Sequence, residues 1–335
     1  MYNVAVVGAT GIVGRQIVEI LDERDFPVKV LSLFASPDSL GEFLQFGDES
    51  MPVQLLEKTV FDAVDIAFFC AGATVSAEYC PVAAAAGVIC IDCSGYWSDE
   101  EAVPLVVPEV NPEAVAEFKA KRIIANPDCA TIQLSLPVQA LGGVDVVERV
   151  VVSTYQAVSD CGQKGVDELR QQSGELLNGR PAKQKEFSHQ VGFDCIPQIG
   201  DFLDDGYTST EVNLVKQMHR LFDKTLAITA TAVTVPIFYG NCQSVNIQTR
   251  ASIDINEISE LLDGFTGLEV VDDLTAKQYP LPVDVTGQDG VYVGRLRTDF
   301  SVQNGLNLWS ALDNIRKGAA TNAVQIAELV VEKYM

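Results

Sequence analysis

Histidine is almost missing from this chain: only His189 and His219 occur among 335 residues. Imidazole is the side chain that titrates nearest neutrality, so acid–base or metal chemistry built on histidine pairs has few places to reside. Positive charge is scarce too. Lysine and arginine number 23 against 46 aspartates and glutamates, a formal charge of −23. Such a surface repels phosphate backbones and anionic headgroups, which excludes nucleic acid and a charged membrane as expected partners. No apolar stretch approaches the roughly 20 residues of a membrane helix. Low-complexity linkers and internal repeats are absent. The opening Met1-Tyr2-Asn3-Val4 lacks the basic region, apolar run and cleavage site of a signal peptide and reads as a first strand. A cytoplasmic location with reduced cysteines is therefore expected. Cys90 and Cys93 form a C-x-x-C, but no second pair follows at metal spacing, so no metal site is expected.

What is present suits two ordinary domains, since 47% of residues are hydrophobic and the length allows two cores. In the first part, short apolar runs alternate with helical patterns. Asn3 to Val7, Val28 to Phe34, Val64 to Phe69, Val88 to Asp92 and Arg122 to Ala125 read as strands. Ile12, Val13, Ile17, Val18 and Leu21 recur at helical spacing, and Ala73 to Ala86 reads as a helix. This alternation predicts a parallel, doubly wound sheet. Beyond about residue 130 the runs lengthen and fill with Val, Thr and Ile: Val147 to Gln156, Leu226 to Ile237, Gln243 to Ala251 and Val291 to Arg297. They predict a mixed or antiparallel sheet, and Lys317 to Lys333 predicts a closing amphipathic helix.

Two motifs carry chemistry. Gly8, Gly11 and Gly14 lie between the first strand and first helix, where glycine lets backbone approach a pyrophosphate resting on the helix N-terminus. Asn126-Pro127-Asp128-Cys129 ends a strand and opens an apolar helical stretch. A cysteine there sees the positive end of the helix dipole, which favours its thiolate and makes Cys129 a candidate nucleophile.

Several strings around these motifs resemble aspartate-semialdehyde dehydrogenases. They are Gly8-Ala9-Thr10-Gly11, Val103-Pro104-Leu105-Val106-Val107-Pro108-Glu109-Val110-Asn111-Pro112, Asn126-Pro127-x-Cys129, Val152-Ser153-Thr154-Tyr155-Gln156-Ala157-Val158-Ser159 and Asp313-Asn314-x-Arg316-Lys317-Gly318-Ala319-Ala320-Thr321-Asn322-Ala323. The resemblance implies an α/β fold of the two-domain glyceraldehyde-phosphate-dehydrogenase type. A Rossmann-like dinucleotide-binding domain would comprise residues 1–128 plus 315–335, and an α+β substrate and dimerisation domain residues 129–314. It further implies NAD(P)H-dependent reduction of β-aspartyl phosphate to aspartate semialdehyde through a thioester on Cys129. Gln156 would orient the acyl group and Asn314 would hold the nicotinamide. Gly8, Thr10, Gly11, Ile12, Val13, Ser36, Ser39, Gly72 and Ser159 would contribute to the cofactor site. A homodimer is expected.

The same resemblance exposes departures. Where it expects a catalytic histidine the chain has Asn241, which cannot serve as a base at neutral pH. A substrate-gripping arginine falls at Thr234, a phosphate-binding arginine at Ser98 and a substrate-binding glutamate at Gln217; Arg220 alone keeps its charge. In Ala35-Ser36-Pro37-Asp38-Ser39 an acid replaces the arginine expected on the NADP 2′-phosphate, which favours NAD over NADP. Glu175-Leu176-Leu177-Asn178-Gly179-Arg180-Pro181 and Val235-Pro236-Ile237-Phe238-Tyr239-Gly240 resemble the Usg-type paralogues, in which these positions are eroded. The leading expectation is a dinucleotide-binding family member with weak or absent orthodox activity, and whether it is an enzyme stays open. The alternatives are an active enzyme with a rearranged site, taking a small acidic acyl substrate, and a non-catalytic scaffold or regulatory subunit.

Overall fold

The computed structural model describes residues 1–335. It comprises two compact units, Met1–Asp128 with Ala319–Met335, and Cys129–Gly318. The chain returns to the first unit at Ala319, a little later than the expected residue 315.

The first unit is built on strands β1 (Tyr2–Val7), β2 (Val28–Ala35), β3 (Phe43–Phe46), β4 (Glu49–Leu55), β5 (Ile66–Phe69), β6 (Ile89–Asp92) and β7 (Ile123–Ala125), with helices α1 (Ile12–Glu23) and α2 (Ala73–Ala85). They form one sheet in the order β3-β4-β2-β1-β5-β6-β7, parallel except for the edge strand β3. Every residue of β5 and β6 is buried, which is why these strands read as unbroken apolar runs. The chain leaves β1 for β2 on one side and returns to β5 on the other, so strand order reverses between β1 and β5. Ligands of doubly wound sheets bind at such a reversal, outside the carboxyl ends of the strands. The last helix, Thr321–Tyr334, completes this core with Ala323, Val324, Ile326, Ala327 and Val330. The C-x-x-C pair is not a unit. The Cys90 thiol turns to the Cys80 carbonyl at 3.6 Å. Burial holds it well above its ordinary pKa, while a hydrogen bond with the Cys70 thiol does the same for Cys93.

The second unit opens with α3 (Cys129–Ala140), followed by β8 (Val147–Gln156), α4 (Gly162–Leu177), α5 (Ser209–Leu221), β9 (Ala227–Thr234), β10 (Asn241–Thr249), α6 (Ile255–Asp263), β11 (Leu268–Val270), β12 (Val291–Asp299) and β13 (Gly305–Leu312). The six strands run β11-β12-β13-β10-β8-β9. The pairs β8–β9 and β11–β12 are parallel and the rest antiparallel, as a mixed sheet. Residues Ala130 to Val138 of α3 are all buried, so the helix shows no polar stripe. Along β8, Val150, Val152, Thr154 and Gln156 are buried, while Val151, Ser153 and Tyr155 point to the opposite, half-open face. On that face Tyr155 meets Trp309 at 5.5 Å between ring centres. No helix is long and apolar enough to cross a membrane.

Candidate active site

In the first unit, the turn after β1 is shaped for close backbone approach. Gly8 has φ +87°, and a Cβ there would lie 2.8 Å from Ala71 N and Cys70 C, so the turns after β1 and β5 touch. A Cβ at Gly14 would overlap the Gly8 carbonyl. Gly11 caps α1 without a side-chain hydrogen bond, which leaves the first-turn N–H groups for a ligand. Gly72, φ +86°, occupies the equivalent place before α2. The Thr10 and Ser39 hydroxyls meet at 2.9 Å, joining the β1 and β2 turns. Ser36, Asp38 and Ser39 lie in the turn after β2, with Ser36 and Asp38 exposed. These features fit the pyrophosphate and ribose of a dinucleotide. Arg15, not among the residues expected at the site, donates to the Thr10 carbonyl at 2.9 Å and pairs with Glu42 at 2.6 Å, beside the same turn. Ser98 is buried, and its hydroxyl closes a local turn onto the Gly95 carbonyl at 2.7 Å.

In the second unit a compact polar cluster surrounds the half-buried Cys129 at the start of α3. Two glutamines anchor that helix. Gln243 Nε2 donates to the Ala130 carbonyl at 2.8 Å, and Gln133 Nε2 donates to Ser310 Oγ at 3.0 Å. Gly318 packs on the cysteine so closely that an added Cβ would stand 2.6 Å from its sulfur. Asn241, 1% exposed at the head of β10, donates through Nδ2 to Cys129 Sγ at 3.4 Å and to Asp160 Oδ2 at 2.8 Å. Its Oδ1 accepts the Ala157 N–H at 2.7 Å. The amide cannot be turned round, because Ala157 N–H only donates and a carboxylate only accepts. The position expected to be histidine thus presents an N–H donor to the sulfur. Asn314, also buried, donates to Ser159 Oγ at 2.8 Å and Asp160 Oδ1 at 2.6 Å, and its Oδ1 accepts Gly240 N–H at 2.9 Å. Cys129, Asn241, Asp160, Asn314 and Ser159 therefore form one hydrogen-bonded chain.

Gln156 ends β8, buried, with its Nε2 on Thr154 Oγ1 at 3.1 Å. Thr234 stands opposite it in register at the end of β9, with its backbone paired both ways to Ile196. Gln217 is buried and Arg220 half-buried on α5, whose start is fixed by the Thr208–Glu211 capping box. His219 is bonded at 2.9 Å to the Leu226 carbonyl, and His189 is exposed. Sequence reasoning missed Asp160 and Gly318 as members of the cluster. Asp160 directly follows the Gln156-to-Ser159 string, and that adjacency was the only available signal.

Residues 3–118 match the family model described as the semialdehyde dehydrogenase NAD-binding domain, and residues 138–317 that of the semialdehyde dehydrogenase dimerisation domain. The chain is 46% identical over 335 residues to aspartate-semialdehyde dehydrogenase 2 of Vibrio cholerae, covering 99% of this chain and 98% of the relative. It is 44% identical to aspartate-semialdehyde dehydrogenase of Aquifex aeolicus, with the same coverage. The crystal structure of aspartate semialdehyde dehydrogenase II from Vibrio cholerae complexed with ASA superposes with a TM-score of 0.97 at 45% identity, over 100% of this chain and 99% of that one. That of a probable aspartate-semialdehyde dehydrogenase from Pseudomonas aeruginosa superposes with a TM-score of 0.94 at 35% identity, over 100% and 99%.

Proposed function

We propose that this chain, which belongs to the aspartate-semialdehyde dehydrogenase family, is an active NAD(P)-dependent oxidoreductase that forms a thioester between Cys129 and the acyl group of aspartate semialdehyde. The observation that carries this reading is the Asn241 N–H aimed at the Cys129 sulfur. The leading sequence expectation was weak or absent activity, argued from the missing histidine. Relatives sharing 46% and 44% identity bear the name of the enzyme itself, which favours the rearranged-site alternative.

Activation follows from hydrogen-bond polarity. A thiolate accepts an N–H more strongly than a thiol does, so a locked donor favours the charged form without removing the proton itself. Placement at the α3 N-terminus works in the same direction. Thiolate is intrinsically nucleophilic, which makes the loss of a base tolerable for acylation. Cys129 attacks the aldehyde carbonyl, and Gln156 orients the oxygen. NAD(P), held by the Gly8–Val13 loop, supplies the hydride acceptor when bound. Asp38 gives NAD the advantage, because a carboxylate suits a free ribose hydroxyl and repels a 2′-phosphate. The second unit matches a dimerisation domain, and a homodimer pairing through the open sheet face around Trp309 accompanies this proposal.

A second reading, turnover limited by poor substrate grip and closer to the Usg-type paralogues, draws on the neutral side chains at Ser98 and Thr234. Two lost charge-assisted bonds at about 1.5–3 kcal/mol each would weaken binding of the anion by about 10²- to 10⁴-fold. The test is cofactor reduction by purified protein with aspartate semialdehyde and inorganic phosphate as acyl acceptor, beside Cys129→Ala. Turnover abolished in that variant supports the proposal, and a raised KM with measurable kcat supports the second reading. No cofactor reduction at any substrate concentration sinks both.

A further inference from the structure

The Cys129 cluster contains a carboxylate, Asp160, to which the thioester-forming step proposed above gives no role. Asp160 stands one amide nitrogen away from the sulfur: Asn241 Nδ2 lies 3.4 Å from Cys129 Sγ and 2.8 Å from Asp160 Oδ2. Two buried amides fix the plane of the carboxylate, Asn241 on one oxygen and Asn314 on the other at 2.6 Å. The residue itself is exposed, so water reaches it. We propose that Asp160 is the base that hydrolyses the Cys129 acyl-enzyme, so that the thioester is resolved by water and the product is a free carboxylic acid.

Position and charge both favour water as the acceptor. Sulfur and carboxylate share the Asn241 amide nitrogen, so an acyl carbon carried on Sγ would lie within one water molecule's reach of Asp160, the arrangement needed to take a proton from that water. Inorganic phosphate must approach the same carbon as an anion, against the field of Asp160. That field is felt locally: the Cys161 thiol is pushed up to about 11, by lost solvation first and by the Asp160 charge next. Neutral water meets no such barrier. The replacement of two expected arginines by Ser98 and Thr234 removes cations that would have favoured an anionic acceptor. In the step itself, water oxygen bonds to the acyl carbon while one water proton passes to Asp160. The carbon–sulfur bond then breaks, Cys129 leaves as thiolate and the acyl group departs as a carboxylic acid, which ionises. No oxidant or reductant enters, since the oxidation is complete once the thioester exists.

This inference rests on Cys129 being the nucleophile, and the experiment separates the two. The full-length protein is acylated with p-nitrophenyl acetate, which needs no cofactor, and loss of the acetyl group from Cys129 is followed by mass spectrometry in phosphate-free buffer. The expected result is release without phosphate, heavy-oxygen water labelling the acetate. Deacylation of Asp160→Asn, followed on the fraction of Cys129 that has been acylated, should slow about 10²-fold, and Asp160→Glu should recover part of the rate. A thermal melt at the parent's midpoint shows that the variant is folded. An acyl-enzyme released only on adding phosphate, or Asp160→Asn deacylating at the parent rate, overturns the proposal and leaves the nucleophile standing. Failure of Cys129 to acylate overturns the site reading and this proposal together.

Discussion

Gly318→Ala changes one hydrogen into a methyl group and should silence the cysteine while sparing the fold. The added carbon would lie 2.6 Å from Cys129 Sγ, 3.1 Å from its Cβ and 3.3 Å from Leu312 Cδ1. The last two contacts relax with shifts of a few tenths of an ångström. The first does not, so the sulfur must swing to another rotamer. Gly318 is not among the residues with positive φ, so alanine meets no backbone penalty. The stability cost therefore falls at the lower end of the overpacking range, about 1 kcal/mol, or roughly 2–4 °C in Tm for a unit of this size. Reactivity suffers more. A sulfur turned away loses the Asn241 N–H at 3.4 Å, and a misplacement of about 1 Å in a reacting group costs on the order of 10²-fold in rate. Alkylation of Cys129 by iodoacetamide, mapped by peptide mass spectrometry beside a thermal melt, reads both quantities. A variant alkylated at the parent rate, with unchanged turnover, would refute the packing of Gly318 on the nucleophile.

Asn241→Ala should slow Cys129 alkylation at neutral pH by about tenfold and lower stability by about 1–3 kcal/mol, because the buried Ala157 N–H loses its acceptor; denaturant melts and alkylation rates check both. Asp38→Arg should shift affinity toward NADPH over NADH by at least about tenfold, measured by fluorescence titration; unchanged preference would dismiss Asp38 as the discriminator. Trp309→Glu places a charge on the open sheet face beside Tyr155 and should convert dimers to monomers in analytical ultracentrifugation. Cys161, with its thiol pushed up to about 11, should alkylate about tenfold faster per pH unit from pH 8 to 10. Since Asp160 contributes to that rise and the residue faces solvent, Asp160→Asn should bring the profile to lower pH. An identical profile would show that burial alone raises the thiol.

The strands at the centre of the first sheet were legible because burial on both faces leaves uninterrupted apolar runs, as in Ile66–Phe69 and Ile89–Asp92. The edge pair β3–β4 was not. Its residues are mostly exposed, Pro52 interrupts it, and Glu49-Ser50 carries no alternation for the eye to follow. The last helix was expected from Lys317 but starts at Thr321, since residues 316–320 form a wider turn that sets Gly318 against the cysteine. That contact joins positions 129 and 318, and no local pattern announces a pairing so distant. Asn241 was legible as a departure, but the direction of its amide was not. Direction comes from Ala157 and Asp160 together, and only folding brings the three side by side.

The first unit is closed by residues that follow the whole of the second. Its core takes Ala320 from the turn before the final helix and Ala323, Val324, Ile326, Ala327 and Val330 from the helix itself, so seven strands made early wait for a segment made after the second unit. The second unit, Cys129–Gly318, is contiguous in sequence. During synthesis the order of completion is thus inverted, with the later-made unit able to finish before the earlier one. Until the final helix docks, the early sheet exposes one apolar face, and a ribosome stalled or a chain truncated after Gly318 would yield a finished second unit tethered to an aggregation-prone first.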